Sequence, residues 1–367
     1  VRYKLILALI ILGYLFIGVL YAAKTPDWQV PDEPAHYNYV RQLAVDGRLP
    51  VLEPGDYDQD YLGLLTSKGF PPELSVDAVE YEDWQPPLYY ALATPIYLLF
   101  NGALLPLRLF SLLLGAGVVL LAYGIATAIF PGHPLLALGT AAFVAFVPQH
   151  LAMMAGVNND SLTELLIALA LLILMLWLRD ERRGTLWLVG LGVVLGLGLV
   201  TKASFAPVVV MVGLVLLMVW WREPERNWRQ LFRMSLLTFG PAVLIAAPWW
   251  LRNVVTYGGF DIYGIANHDA VVVGQPRTAD WIATNGIRAW LERWVTFTFQ
   301  SFWGQFGWMG VLMPTRLYRA LALWSAMLVI GFVISFRKAS GVTHYVTRNT
   351  YYATRTVQSV VLGSLFV

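Results

Sequence analysis

Eight stretches of this 367-residue chain are apolar for about the length a helix needs to cross hydrocarbon, roughly 20 residues. They are Leu5–Ala23, Leu109–Phe130, Leu135–Ala155, Leu162–Leu178, Leu186–Val200, Phe205–Trp221, Ser235–Leu251 and Leu317–Phe336. In lipid every backbone polar group must find its partner internally, and these runs lack the alternation of a barrel strand, so they are read as helices. The composition agrees: 58% of residues are hydrophobic and 13% charged, against about 25% charged in soluble domains. A formal charge of +2 gives no footing for a nucleic-acid partner. The absence of Cys excludes disulfides, thiolate nucleophiles and cysteine metal sites. The first run, led by Arg2 and Lys4, has the look of a signal peptide but no small-x-small cleavage site after it, and is read as a retained span.

Basic residues orient the bundle, since they favour the inner side of a membrane. Arg2 and Lys4, then Arg179, Arg182 and Arg183, then Arg222, Arg226, Arg229 and Arg233, then Arg337 and Lys338 are all placed inside. The N-terminus is therefore inside, and two large loops, about 24–87 and 252–316, lie outside. Leu88–Leu105 is apolar enough to cross, yet a single crossing there would export every later arginine cluster. It is expected to be a re-entrant or interfacial hairpin broken near Pro95 or Asn101–Gly102, with an ordinary span as the alternative. The expected fold is an all-α polytopic bundle of eight or nine spans forming one domain over 1–336, with a tail of no assigned role over 337–367. No inverted repeat of the kind common in transporters is visible.

Polar groups gather at the outer boundary. "VPDEPAHYNYVRQL" sets Asp32, Glu33 and His36 at the start of a helix expected from about Pro34 to Val45, because proline and carboxylates both suit a first turn. That helix is only mildly amphipathic and is expected to lie along the membrane surface; the plainer reading is a capping pair beside a solvated histidine. In "YEDWQPPLYYAL", Glu82, Asp83 and Gln85 face the same outer cavity, while Trp84, Tyr89 and Tyr90 serve either as interfacial anchors or as stacking surfaces for a sugar. Asp160 opens a span, as a cap or as a group that meets a divalent ion or an acceptor. Lys202 and Arg108 are lone cations between apolar runs. Each needs an anionic partner, such as the phosphate of a lipid carrier, or else snorkels to the surface. Arg252, Asn253, His268 and Asp269 lie beyond the Pro248-Trp249-Trp250 exit of a later span.

In their order and sidedness these motifs resemble the integral-membrane glycosyltransferases of the GT-C fold, and within them the aminoarabinose transferases of lipid A and the protein O-mannosyltransferases. The likeness covers roughly residues 5–260 and is carried by "PDEPAHYNY", Arg108, "WQPPLYY", Asp160, "VTKASF" with Lys202, and Pro248-Trp249. It implies a polyprenyl-phosphate sugar as donor and a lipid, glycan or protein acceptor, met at the outer face of a bacterial cytoplasmic membrane. Asp32 or Glu33 would be the general base of an inverting transfer, with His36 orienting the acceptor. Lys202 and Arg108 would steady the phosphate, with Gln85, Trp84, Tyr89 and Arg252 around the substrate. A divalent ion such as Mg or Mn would lie between Asp160 and Asp32 or Glu33. In one respect the chain departs from the aminoarabinose type: the acids Glu82 and Asp83 are separated from the prolines by Trp84 and Gln85. The alternatives are a non-catalytic membrane subunit of a larger complex, or a lipid or sugar transporter.

Overall fold

A computed structural model describes residues 2–180, 184–275 and 277–341, the last seven by backbone alone. Arg182, Arg183 and the tail from 342 on therefore lie outside the described residues. The helices divide between two compact units, of which the first takes in residues up to Phe146 together with His150–Arg277.

In the first unit the chain runs through α1 (Arg2–Lys24), α2 (Glu33–Val45), α3 (Gln59–Lys68), α4 (Leu88–Leu99) and α5 (Leu104–Ile129). It continues through α6 (Pro134–Phe146), α7 (Pro148–Met154, whose first two residues fall in the second unit), α8 (Asp160–Arg179), α9 (Thr185–Leu199), α10 (Ala206–Arg222), α11 (Trp228–Tyr257) and α12 (Ile265–Val271). α5 is the central helix, packing on α1, α4, α6 and α8, while α9 joins α8 to α11. Tyr14, Leu112, Ala116, Val119, Ala141, Ala145, Leu151 and Met154 form the core of the α1–α5–α6 side. On the other side Gly192 and Gly196, one turn apart on α9, allow close backbone approach. A Cβ at Gly192 would collide with the carbonyl of Thr238, and one at Gly196 with Ile245 and Ala242 of α11. Small residues at helix contacts are how spans associate where lipid supplies no hydrophobic drive.

The second unit holds α13 (Thr278–Asn285), α14 (Ile287–Trp303), a two-residue antiparallel pair β1 (Gln305–Phe306) and β2 (Val311–Leu312), and α15 (Thr315–Gly341). α15 thus runs through residues 337–341 of the segment read as a tail.

Among the described residues six helices are long and apolar enough to cross a membrane: α1, α5, α8, α10 with the 3-10 turn before it, α11 and α15. α6 and α7, bent by 63°, make a seventh if counted as one span. α4 and α9 are apolar but shorter. At about 1.5 Å per residue the 12 residues of α4 reach only about 18 Å, short of the roughly 30 Å of hydrocarbon. The expected break falls at Asn101–Gly102, where both residues adopt positive φ (52° and 75°), while Pro95 is accommodated inside α4.

α2 begins at Glu33, one residue before the expected start, with Pro34 in its first turn. It differs from the surface helix read in the sequence, for Glu33, Ala35, His36, Asn38, Tyr39 and Val40 are all buried. Two layers cover it. On one side lies α4, where the Tyr39 and Tyr90 rings stack with centroids 3.7 Å apart. On the other runs the 76–85 segment: Asn38 donates to the carbonyls of Val76 and Val79, Gln42 to Asp83, and Tyr39 to the carbonyl of Gln85.

Candidate active site

The turn between α1 and α2 carries the two acids, and their environments differ completely. Glu33 is fully buried and faces Arg108 of α5 in a two-pronged pair, with Arg108 Nε to Glu33 Oε1 at 2.8 Å and Nη2 to Oε2 at 2.6 Å. The backbone N–H groups of Val157 and Trp28 donate to the same two oxygens. Arg108 gives its remaining N–H groups to the carbonyls of Ala22, Thr25 and Pro26. All five guanidinium donors and all four favourable carboxylate positions are occupied. The pair locks the end of α1, the start of α2, α5 and the turn before α8 together.

Asp32 is left free by this arrangement. It sits at the N-terminus of α2 with φ 63° and ψ −2°, a left-handed conformation that costs an L-residue roughly 1–2 kcal/mol, although Asp tolerates it better than most. The half-buried carboxylate accepts one hydrogen bond, from the Tyr81 hydroxyl to Oδ1 at 2.6 Å. Burial raises its pKa above the ordinary value; the Tyr81 hydrogen bond and the Lys202 charge oppose the rise, and Asp160 adds to it. Asp32 therefore shares one electrostatic neighbourhood with Lys202 and Asp160.

Those two come from the start of α8 and the end of α9. Lys202 follows α9 in an extended conformation, and its Nζ meets Asp160 Oδ1 at 2.6 Å, with Asp160 the more exposed partner (40% against 19%). The segment is sewn in place by Val200, whose carbonyl accepts from the N–H of Leu88 at the head of α4. Thr201 does likewise, accepting from the Asn159 side chain at the head of α8.

Glu82 completes the cluster. One of its oxygens is buried without a partner, and burial first, then Asp32, push its pKa up to about 8 against the opposing pull of Lys202. His36 is buried with Nδ1 2.8 Å from the Tyr90 hydroxyl. Burial and the Lys202 charge hold it well below the ordinary imidazole value, so it is neutral near pH 7.

The other residues singled out in the sequence are placed as follows. Gln85 is buried with its side-chain oxygen unpartnered, and Trp84 has an unpartnered indole N–H and a ring 4.7 Å from that of His268. Tyr89 is fully buried inside the bundle, its hydroxyl 2.7 Å from the Ser111 hydroxyl and accepting from the N–H of Asn158. Arg252, at the end of α11, packs over Trp249 and Tyr257 and donates to the carbonyl of Pro50, clasping the loop that precedes α3. Among the described residues no three His, Asp or Glu side chains converge as a metal site requires. The Asp160 carboxylate, which the family resemblance would have share an ion with Asp32 or Glu33, faces the Lys202 ammonium.

Asp83, next to the cluster, is engaged with Gln42 Nε2 at 2.7 Å, and burial pushes its pKa up to about 8. The folded protein thus holds a proton on Asp83 and on Glu82 that the unfolded chain sheds near pH 4. Their contribution to stability is complete below that pH and is lost as pH rises towards 8. Thermal unfolding in detergent is expected to show the midpoint falling between pH 5 and 8, and Asp83→Asn, which stays neutral, to flatten that fall and raise the midpoint at pH 8.5. An unchanged slope would contradict this account.

A membrane-helix bundle with an ionisable cluster gathered where the ends of α2, α4, α8 and α9 meet defines a polytopic membrane protein with a polar site at those ends. Residues 77–264, just over half the chain, match the family profile described as dolichyl-phosphate-mannose-protein mannosyltransferase, and the chain belongs to that family. The matched region holds Glu82, Arg108, Asp160 and Lys202; Asp32 and Glu33 precede it. A solved structure from S. cerevisiae, of the protein O-mannosyltransferase Pmt1-Pmt2 complex bound to the sugar donor, aligns with TM-score 0.48 and 18% identity over 69% of this chain. The chain spans about a third (34%) of the length of that protein. No curated protein sequence matches the chain.

Proposed function

We propose that this protein is a glycosyltransferase that takes a sugar from a polyprenyl-phosphate carrier and moves it to an acceptor hydroxyl at the outer face of the cytoplasmic membrane. The observation that carries the reading is Asp32: a strained, singly hydrogen-bonded carboxylate beside a lysine that ends a span, in a chain of the mannosyltransferase family. Asp32 accepts the acceptor's hydroxyl proton as that oxygen attacks the anomeric carbon. The bond from that carbon to the phosphate oxygen breaks on the opposite side, and the anomeric centre inverts. Lys202 exchanges its contact with Asp160 for the departing phosphate, whose charge it stabilises. Neutral His36 and Gln85 line the same region. Glu33 and Arg108 hold Asp32 in place and do not touch substrate.

In this reading the six long helices, the α6–α7 pair and α9, extended by Val200 and Thr201, make eight crossings. The N-terminus is inside and α4 is re-entrant. Arg2 with Lys4, Arg179, and the group of Arg222, Arg226, Arg229 and Arg233 then lie inside, and the ends that carry Asp32, Asp160 and Lys202 lie outside.

The pH dependence of transfer tests the cluster. Asp32 must be ionised to act, so kcat/KM is expected to rise with pH through a midpoint above the ordinary aspartate value. Glu82 ionises at about pH 8, and its new charge would compete with phosphate for Lys202, so the rate is expected to fall above that pH. Glu82→Gln should abolish the alkaline fall and keep the acid limb. A Glu82→Gln profile identical to wild type would place Glu82 outside the site.

A further inference from the structure

We infer that the acceptor reaches Asp32 through a cleft in the segment between α1 and α4, and that it is an uncharged carbohydrate; this rests on the transferase reading above. The cleft has a volume of about 300 Å³, and its walls include Asp56, Tyr57, Asp58, Tyr61, Leu62 and Tyr81. It abuts the site at Tyr81, which contributes to the wall while its hydroxyl donates to Asp32 Oδ1. Tyr57 stands edge-on to Tyr81, ring centroids 5.5 Å apart and planes at 87°, so the two rings form an aromatic corner. Tyr61 has its hydroxyl engaged by the carbonyl of Ser75, which leaves its ring as the contact surface. Apolar ring faces set at a corner, with carboxylates nearby, suit a pyranose: its C–H face packs on the ring and its hydroxyls donate to oxygen.

Charge decides against the other classes. Among the described residues no Lys, Arg or His lines the cleft, and its acids Asp56 and Asp58, with Asp32 beyond Tyr81, repel a phosphate or a carboxylate. A cationic acceptor would find those acids attractive, but it would hold Asp32 ionised and weaken the base that must take its proton. The two cleft acids are also partly occupied at home. Asp58 Oδ1 accepts the N–H groups of Asp60 and Tyr61 as the cap of α3, and Asp56 Oδ2 accepts the N–H of Glu53. They offer the remaining lone pairs to hydroxyl donors. The volume lies at the small end of ligand sites, roughly 300–1,000 Å³, and fits one or two sugar units better than an extended peptide.

Saturation-transfer NMR on the whole protein in lipid nanodiscs tests this with methyl α-mannoside and methyl β-glucoside as probes. Wild type is expected to transfer saturation to the ring protons of at least one glycoside. The signal should vanish in Tyr57→Ala, return in Tyr57→Phe, and vanish in Leu62→Trp, which fills the cleft and leaves the aromatic corner in place. Equal signal in wild type, Tyr57→Ala and Leu62→Trp would overturn the proposal, as would displacement of the glycoside by tetramethylammonium or by a serine-containing peptide at lower concentration. Wild-type consumption of polyprenyl-phosphate mannose, run alongside, separates the two readings. Donor turnover with no glycoside signal removes the cleft and leaves the transferase, whereas a cleft-dependent signal with no donor turnover removes the transferase and leaves a sugar-binding site.

Discussion

Asp32→Asn is expected to lower sugar transfer by about 10²–10⁴-fold, the range general-base catalysis supplies, while leaving the protein folded. The substitution is well suited to isolate the proton transfer. Asn adopts the left-handed conformation at φ 63° as readily as Asp, and its carbonyl oxygen can still accept from Tyr81. The carboxylate's charge and its capacity to take a proton are lost. The KM for the donor should change little, because in the proposed reaction Asp32 acts on the acceptor hydroxyl and Lys202 on the phosphate. The loss should therefore appear in kcat, measured with radiolabelled donor on protein in lipid. A rate within threefold of wild type would remove Asp32 from the chemistry, and Glu82 would then be the carboxylate to examine.

Arg108→Ala is expected to destabilise the protein by about 3–5 kcal/mol, the cost of breaking a buried ion pair on one side. Glu33 would be left fully buried with its charge unpaired, and three carbonyls at the end of α1 would lose their donors. Arg108→Lys should recover little, since three donors on a flexible stem cannot reproduce five in a rigid fork. A Glu33→Gln, Arg108→Met double variant should be more stable than either single change, because it removes both charges. Unfolding midpoints in detergent decide the matter. If Arg108→Ala kept its midpoint and lost only donor affinity, the phosphate-holding role suggested by the sequence would return, and the structural role assigned to the pair would fail.

Six of the eight expected spans, seven with the α6–α7 pair, were legible because length and hydrophobicity nearly suffice where the backbone must satisfy itself. Arg179 and Arg222, at helix ends that the pattern marked, lie in the last turns of α8 and α10. α2 was legible for a local reason: Pro34 and the acids around it can open a helix and can hardly continue one. Its burial was not legible. That depends on the 76–85 segment folding back to hand its carbonyls to Asn38, a contact some forty residues away with no periodic signature.

The site shows the same division. Asp32, Glu33, Arg108, Asp160 and Lys202 all stand out as ions beside apolar runs, and each plainly needed company. Which ion met which was beyond the sequence: Glu33 finds Arg108 across 75 residues, and Asp160 finds Lys202 across 42. The two adjacent acids in "PDEP" look equivalent on paper. The left-handed conformation of Asp32 itself sets them apart, with Asp32 bonded to Tyr81 and Glu33 in the core. Glu82 gave the weakest signal, its displacement from the prolines counting against it. Two successive tight turns, closed by Asp83 N–H to Glu80 and by Gln85 N–H to Glu82, bring it into the electrostatic reach of Asp32.

The most direct test of the central claim is to incubate the purified protein in lipid with radiolabelled polyprenyl-phosphate mannose and a membrane extract as acceptor, and to follow where the label goes. The account predicts that wild-type protein moves label from the carrier into a product of inverted anomeric configuration, and that Asp32→Asn does not. Folded wild-type protein that consumed neither this donor nor any other polyprenyl-phosphate sugar in a panel would contradict it, and would leave the cluster as the fixture of a non-catalytic membrane subunit.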